Sequence, residues 1–141
     1  MIVIDCSAVI MFLTDSGAIG QQVRARVARE DTLHAPHLLD TEVVSALLGM
    51  ARGTRSGIPK LDKAVLDENI KTYSALRIDR HEAMPLLPRV RVLHANLSAY
   101  DATYVALAET LGVPFITTDA RIKRGIRKPR CAIEVIGVEK N

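Results

Sequence analysis

Four acidic residues stand where a carboxylate can do chemistry: Asp5, Glu42, Asp101 and Asp119. Asp5 ends the apolar run Ile2-Val3-Ile4, and Asp119 ends Pro114-Phe115-Ile116-Thr117-Thr118, so each closes a short buried strand. Glu42 and Asp101 lie in early turns of helices that follow such strand ends. In open parallel sheets ligands bind beyond the carboxyl ends of the strands, which lets all four acids share one crevice. Each position also has a plainer reading. Asp5 and Asp119 could cap the helices after them, and Ser98-Ala99-Tyr100-Asp101 resembles a capping box. Glu42 is too far into its helix to cap it and too close to its apolar stripe to ignore.

Taken together, the four imply a cation. Two carboxylates about 4 Å apart repel by about 4 kcal/mol at the effective dielectric of a protein surface, so a cluster calls for a neutralising ion. All-oxygen ligation selects a hard ion, Mg2+ or Mn2+, and no Cys/His set at zinc spacing competes. Such an ion lowers the pKa of a bound water, holds a phosphate and stabilises an in-line displacement. The chemistry this implies is phosphodiester hydrolysis by metal-activated water. His34, His37, His81 and His94 share no motif. His37 lies near the crevice and could serve a metal-free reaction, but a surface or capping role fits it better.

The elements that must position these acids alternate. Ser7 is expected to cap a short apolar helix from Ala8 to Leu13, followed by a helix over Ala18–Glu30 and a brief strand, Leu33-His34-Ala35, stopped by Pro36. A helix over Leu38–Arg52 ends at Gly53, and Thr54–Pro59 is a polar loop. The next helix, Lys60–Ala75, turns Leu61, Val65, Ile70 and Tyr73 inward, and Arg77-Ile78-Asp79 is a marginal edge strand. A short helix opened by Pro85 and Pro88 buries Leu86, Leu87, Val90 and Leu93 and closes at Asn96. Ser98–Leu111 is the clearest helix; a basic helix over Arg121–Arg124 and an edge strand over Ala132–Ile136 complete the chain. Strands alternating with helices imply right-handed crossovers and a mostly parallel sheet.

Composition narrows the class. The 141 residues fit one domain, 1–141, large enough to fold without staples. Aromatic residues make up only 4% and Trp is absent, so the core is aliphatic and base-stacking aromatic platforms of the kind single-strand binders use are not expected. Cys6 and Cys131 read as buried thiols of a reducing compartment. With no apolar run of membrane length and no basic leader, a cytoplasmic protein without membrane attachment is expected. The net charge of +3 is uneven: Arg121, Lys123, Arg124, Arg127, Lys128 and Arg130 fall within ten residues, and Arg24, Arg26 and Arg29 form a second group. Either group is a solvated face or a phosphate-binding surface. Arg121, Lys123, Arg124 and Arg127 are the candidate RNA contacts.

In four stretches the chain resembles the PIN-domain ribonucleases, and within them the VapC-type toxins of toxin-antitoxin pairs. These are Ile2-Val3-Ile4-Asp5-Cys6-Ser7, Ala35-Pro36-His37-Leu38-Leu39-Asp40-Thr41-Glu42-Val43, Leu97-Ser98-Ala99-Tyr100-Asp101-Ala102 and Pro114-Phe115-Ile116-Thr117-Thr118-Asp119-Ala120-Arg121. The resemblance implies a three-layer α/β/α fold with a five-stranded sheet of order 3-2-1-4-5. It also implies Mg2+- or Mn2+-dependent endoribonuclease activity on structured RNA such as tRNA or ribosomal RNA. Asp5, Glu42, Asp101 and Asp119 are then metal ligands or water-positioning acids, with Ser7 and Thr117 supporting them. A homodimer and silencing by a cognate antitoxin are further implications. Where relatives often carry Asn three residues after the glutamate, this chain has Ser45.

Other strand-Asp enzymes fit less well. A haloacid-dehalogenase phosphatase requires a second Asp two residues after the first, where this chain has Ser7. A receiver domain requires an acidic pair after strand one, but Asp5 is followed by Cys6. The rival from another class is a PIN-like module that binds RNA or antitoxin without cutting; its mark would be a lost acid, and none is lost.

Overall fold

The computed structural model describes residues 1–53 and 58–137. Four residues of the expected 54–59 loop, 54–57, therefore lie outside the described residues. The sheet is built from β1 (Ile2–Ile4), β2 (Leu33–Pro36), β3 (Ile78–His81), β4 (Phe115–Thr117) and β5 (Ile133–Val135). All pairings are parallel and the order is β3-β2-β1-β4-β5, as the resemblance implies. β1 and β4 are buried along their whole length because helices cover both faces, which is why they read as unbroken apolar runs.

The helices are α1 (Cys6–Thr14), α2 (Ala18–Ala28), α3 (Leu38–Arg52), α4 (Lys63–Ala75), α5 (Leu87–Leu93), α6 (Ala99–Leu111) and α7 (Ala120–Arg124), with a 3-10 turn at Met84–Leu86. The steps from β1 to β2 and from β2 to β3 move one way across the sheet. The β3 to β4 connection returns the other way, so with right-handed crossovers α1–α4 cover one face and α5 and α6 the other. Packing agrees: α1 lies against α2, α3 and α4, and α6 against α5, β1, β2 and β4. The direction reverses between β1 and β4, where a ligand crevice opens at the carboxyl ends of the strands.

Several boundaries differ from the sequence expectation, each for a local reason. α1 starts at Cys6 because Asp5, not Ser7, is its cap: the Asp5 carboxylate accepts from the Ala8 amide. Within α1 only Ala8 and Val9 are buried, and the other apolar residues are half-buried against the core. β2 continues through Pro36, which is tolerated at the last strand position, and the His37 amide resumes the pairing to the His81 carbonyl. α4 starts at Lys63, capped by Asp62; Val65 in its first turn is exposed, and the buried residues of the helix are Asn69 and Tyr73. Leu87 is likewise exposed, one step around the helix from Leu86, Val90 and Leu93. α5 stops at Leu93 with His94 as its cap, short of Asn96. Gly53 and Gly112 end α3 and α6 in the left-handed conformation, φ 65° and 67°.

Candidate functional site

The parallel register of β1 and β4, with Val3 opposite Phe115 and Ile4 opposite Ile116, carries Asp5 alongside Thr117. The consequence is a closed polar knot at the bottom of the crevice. Thr117 Oγ1 donates to Asp5 Oδ2 at 2.6 Å, and Ser7 Oγ donates to Asp5 Oδ1 at 2.7 Å. The Ala8 amide donates to the same Oδ1 at 3.0 Å. Ser7 and Thr117 in turn accept the amides of Thr118 and Asp119, so β4 and the start of α7 are tied to β1 through these two hydroxyls. Asp5 is thus both helix cap and crevice residue. Burial pushes its carboxyl up to about 6 against the downward pull of these hydrogen bonds, and the nearby Asp101 charge adds to the rise.

Glu42 stands on α3 facing α6. The hydroxyl of Tyr104, a fully buried residue of α6, donates to Glu42 Oε1 at 2.6 Å. Burial holds the Glu42 carboxyl above the usual carboxylate range, Tyr104 pulls it down, and Asp101 pushes it up again. This bond supplies the partner that a carboxylate beside an apolar stripe requires. Sequence reasoning missed Tyr104, although a buried tyrosine in an otherwise apolar helix needs a hydroxyl partner and so pointed to a polar neighbour.

Asp101 sits in the first turn of α6, where Ser98 caps the helix by accepting the Asp101 amide at 3.1 Å. Burial raises its carboxyl, a hydrogen bond from Ser98 lowers it, and the Asp119 charge raises it. Asp101 therefore lies within electrostatic reach of Asp5, Glu42 and Asp119 alike.

Asp119 caps α7 and, among the described residues, is the one acid of the four with a cation of its own. Arg121 binds it in a fork, Nε to Oδ1 at 3.0 Å and Nη2 to Oδ2 at 2.8 Å, and its amide also reaches Oδ1. Arg121 holds Asp119 below the usual range, with a smaller contribution from the Arg124 charge.

The structure thus brings the four acids to the switch point between β1 and β4, but not into direct contact. Among the described residues no three His, Cys, Asp or Glu side chains form a ready-made metal cage. Bare carboxylates of like sign repel, and Asp5, Glu42 and Asp101 all carry the signature of that repulsion added to burial. Their donors are all hard oxygens. Hard oxygens of this type are the donors that divalent cations of the Mg2+ or Mn2+ kind take. Cys6, beside Glu42 and Asp5, is pushed up to about 12 by burial and by those charges, and so stays a neutral thiol. His37 is exposed at the start of α3 and makes no side-chain cap bond.

The basic residues divide. Arg121 and Arg124 act on Asp119, whereas Arg127 and Lys128 line a separate groove of about 440 Å³ against Val92 and Leu93 of α5. Lys123 is exposed on α7. In the other group, Arg24 donates to the Phe12 and Asp15 carbonyls at the end of α1, and Arg26 pairs with Glu30 and Glu134. Arg24 and Arg26 are consequently structural.

A PIN domain family model matches residues 2–127. The chain is 38% identical over 136 residues to a VapC ribonuclease of Mycobacterium bovis, covering 96% of this chain and 98% of the relative. It is 37% identical over 123 residues to ribonuclease VapC3 of Mycobacterium tuberculosis, covering 87% and 85%. Among solved structures, PAE2754 of Pyrobaculum aerophilum superposes with a TM-score of 0.66 at 22% identity, over 95% of this chain and 83% of that one. Mycobacterium tuberculosis VapC20, described as a sarcin-ricin loop cleaving toxin, superposes with a TM-score of 0.60 at 12% identity, over 88% and 94%. At those identities the two structures speak for the fold.

Proposed function

The chain belongs to the PIN-domain family, among the VapC ribonucleases, and on that premise we propose that it is a Mg2+- or Mn2+-dependent endoribonuclease acting on structured RNA of the tRNA or ribosomal class. The observation that carries this reading is the convergence on Asp101 of three other carboxylates, of which, among the described residues, only Asp119 has a cationic partner. Asp5, Glu42 and Asp101 would hold the ion. When bound, the ion supplies a water of lowered pKa and positive charge against the phosphate. Ser7, Thr117 and the Ala8 amide fix both oxygens of Asp5, and Tyr104 fixes one oxygen of Glu42. Asp119 holds the Arg121 guanidinium at the rim, where it can meet a phosphate of the strand being cut.

As part of the same reading, the protein is the toxin of a pair, a cytoplasmic homodimer silenced by a cognate antitoxin. The test is cleavage of total tRNA and ribosomal RNA by the purified chain with Mg2+ or Mn2+, with EDTA, and with Glu42→Gln. Discrete cuts that vanish with EDTA and with the variant support the reading. Cuts that survive both overturn the metal dependence, and RNA binding without cuts favours a binding module.

A further inference from the structure

Three of the five aromatic residues, Tyr73, Tyr104 and Phe115, are buried, and Phe12 is half-buried against the core. The fifth, Tyr100, is 63% exposed. It stands in the first turn of α6, next in the chain to Asp101, and forms one wall of an open groove of about 570 Å³ that also contains Glu42. The rest of the lining is Cys6 at the start of α1 and one face of α3: Leu38, Thr41, Glu42, Ser45 and Ala46 recur at the three- and four-residue spacing of a single helix side. A single exposed tyrosine is ordinary on a protein surface; one set across a groove from a candidate site carboxylate is a placement with chemical content.

The lining decides what the groove can take. Among the described residues its lining includes no Lys or Arg, and Glu42 lies in it, so a phosphate is repelled. Leu38, Ala46 and the Tyr100 ring offer apolar and π surface, while Thr41 and Ser45 are exposed and offer hydroxyls to polar edges. That combination suits a flat, uncharged group with polar edges: a nucleobase. Single-stranded RNA is held by aromatic stacking on its bases together with cations on its backbone. Here the cations, Arg121 and Arg124, act on Asp119, whose charge in turn reaches Asp101. Resting on the ribonuclease reading above, we propose that the groove between α3 and α6 receives one unstacked base flanking the scissile phosphate, stacked on Tyr100 and read at its edges by Thr41 and Ser45. The low aromatic content excludes a series of stacking platforms but is compatible with one platform at the point of cutting.

The test compares wild type, Tyr100→Phe and Tyr100→Leu as full chains. Fluorescein-labelled single-stranded RNA octamers of random sequence, and an abasic ribose-phosphate octamer, are titrated with Ca2+ present, and cleavage of tRNA and ribosomal RNA is measured with Mg2+. Stacking predicts that the Phe variant binds RNA as wild type does, whereas the Leu variant loses roughly ten- to a hundredfold in affinity. All three then bind the abasic octamer equally, with equal melting temperatures. The proposal is overturned if the Leu variant binds and cuts RNA like wild type, if it loses the abasic octamer to the same extent, or if the Phe variant loses as much as Leu. It is also overturned if the Leu variant cuts normally but escapes the purified cognate antitoxin, which would give the groove to that partner. A wild type that neither binds nor cuts RNA overturns the ribonuclease reading itself, an outcome distinct from the others.

Discussion

Tyr104 and Glu42 lie on different helices, α6 and α3, and the 2.6 Å bond from the tyrosine hydroxyl to Glu42 Oε1 joins the helix layers across the carboxyl end of the sheet. The ring packs 6.3 Å from that of Phe115 on β4, so the hydroxyl is held by the core. Tyr104→Phe keeps this packing and removes only the donor. Glu42 would then lose the interaction that offsets its burial and the Asp101 charge. The expected outcome is a fall of about 10- to 100-fold in Mn2+ affinity, read from the Mn2+ dependence of melting, with a stability cost of about 1–2 kcal/mol. Wild-type Mn2+ affinity in the variant would remove Tyr104 from the site.

Asp5→Asn separates function from stability. The Asp5 carboxyl is buried and held near 6, above the value of about 3.9 in an unfolded chain. Its favourable contribution is therefore present only below the unfolded value and is lost as pH rises through about 6. At pH 7 the ionised group costs the fold up to roughly 3 kcal/mol, which an asparagine does not. The amide can still accept from Ser7 and Ala8, and Thr117 can turn its hydroxyl to Ser7 Oγ, 3.2 Å away. Urea unfolding in EDTA at pH 7.5 is expected to show a variant at least as stable as wild type, and cleavage assays to show none. A variant that unfolds more readily would mean that the carboxylate, even ionised, holds β1 to β4.

On the proposed ribonuclease reading, Arg124 and Arg127 are expected to meet different parts of the RNA. Arg124 acts on Asp119 in the crevice, whereas Arg127 lines the groove beside α5. Arg124→Ala and Arg127→Ala, made separately, are each expected to reduce the log-log salt dependence of RNA binding by about 0.7 to 0.9, the effect of leaving one phosphate without its cation. The two differ in catalysis: the first also slows cleavage at saturating RNA, and the second does not. Equal slopes for Arg127→Ala and wild type would place the RNA away from α5.

The strands and the acids at their ends were legible because both depend on short, buried, largely β-branched runs and on what ends them, whereas the order 3-2-1-4-5 came with the family resemblance. Ile2-Val3-Ile4 and Phe115-Ile116-Thr117 have no surface to show, so the first charged residue after each marks the rim of the sheet. What was not legible depends on pairing across the fold. Arg24 and Arg26 read as a basic face, yet they are spent on carbonyls at the end of α1 and on Glu30 and Glu134, 108 residues away from Arg26 in the latter case. Val65 and Leu87 read as core from hydropathy, but both are exposed in the fold. Tyr104 stood within an apolar run and carried no spacing that named Glu42 as its partner.

Acid sensitivity is expected from a pair remote from the acids. His34 on β2 and His81 on β3 share a 2.9 Å contact, Nδ1 to Nε2, and Thr32 Oγ1 meets the other ring nitrogen of His34. One proton fits between the rings, and two do not. Burial, the His81 ring and the N-terminal ammonium lower the His34 pKa, opposed by the Asp79 charge. With its folded value depressed, His34 contributes stability that is present above the unfolded value, about 6.5, and lost as pH falls through the folded one. Asp5 titrates in an overlapping interval with the opposite sign, so the wild-type curve alone does not isolate the pair. The difference between His34→Leu and wild type does. Across urea midpoints from pH 8 to pH 5, the variant is expected to lose less stability than wild type on acidification, whatever its starting value. Parallel curves would show that the pair accommodates its second proton without cost.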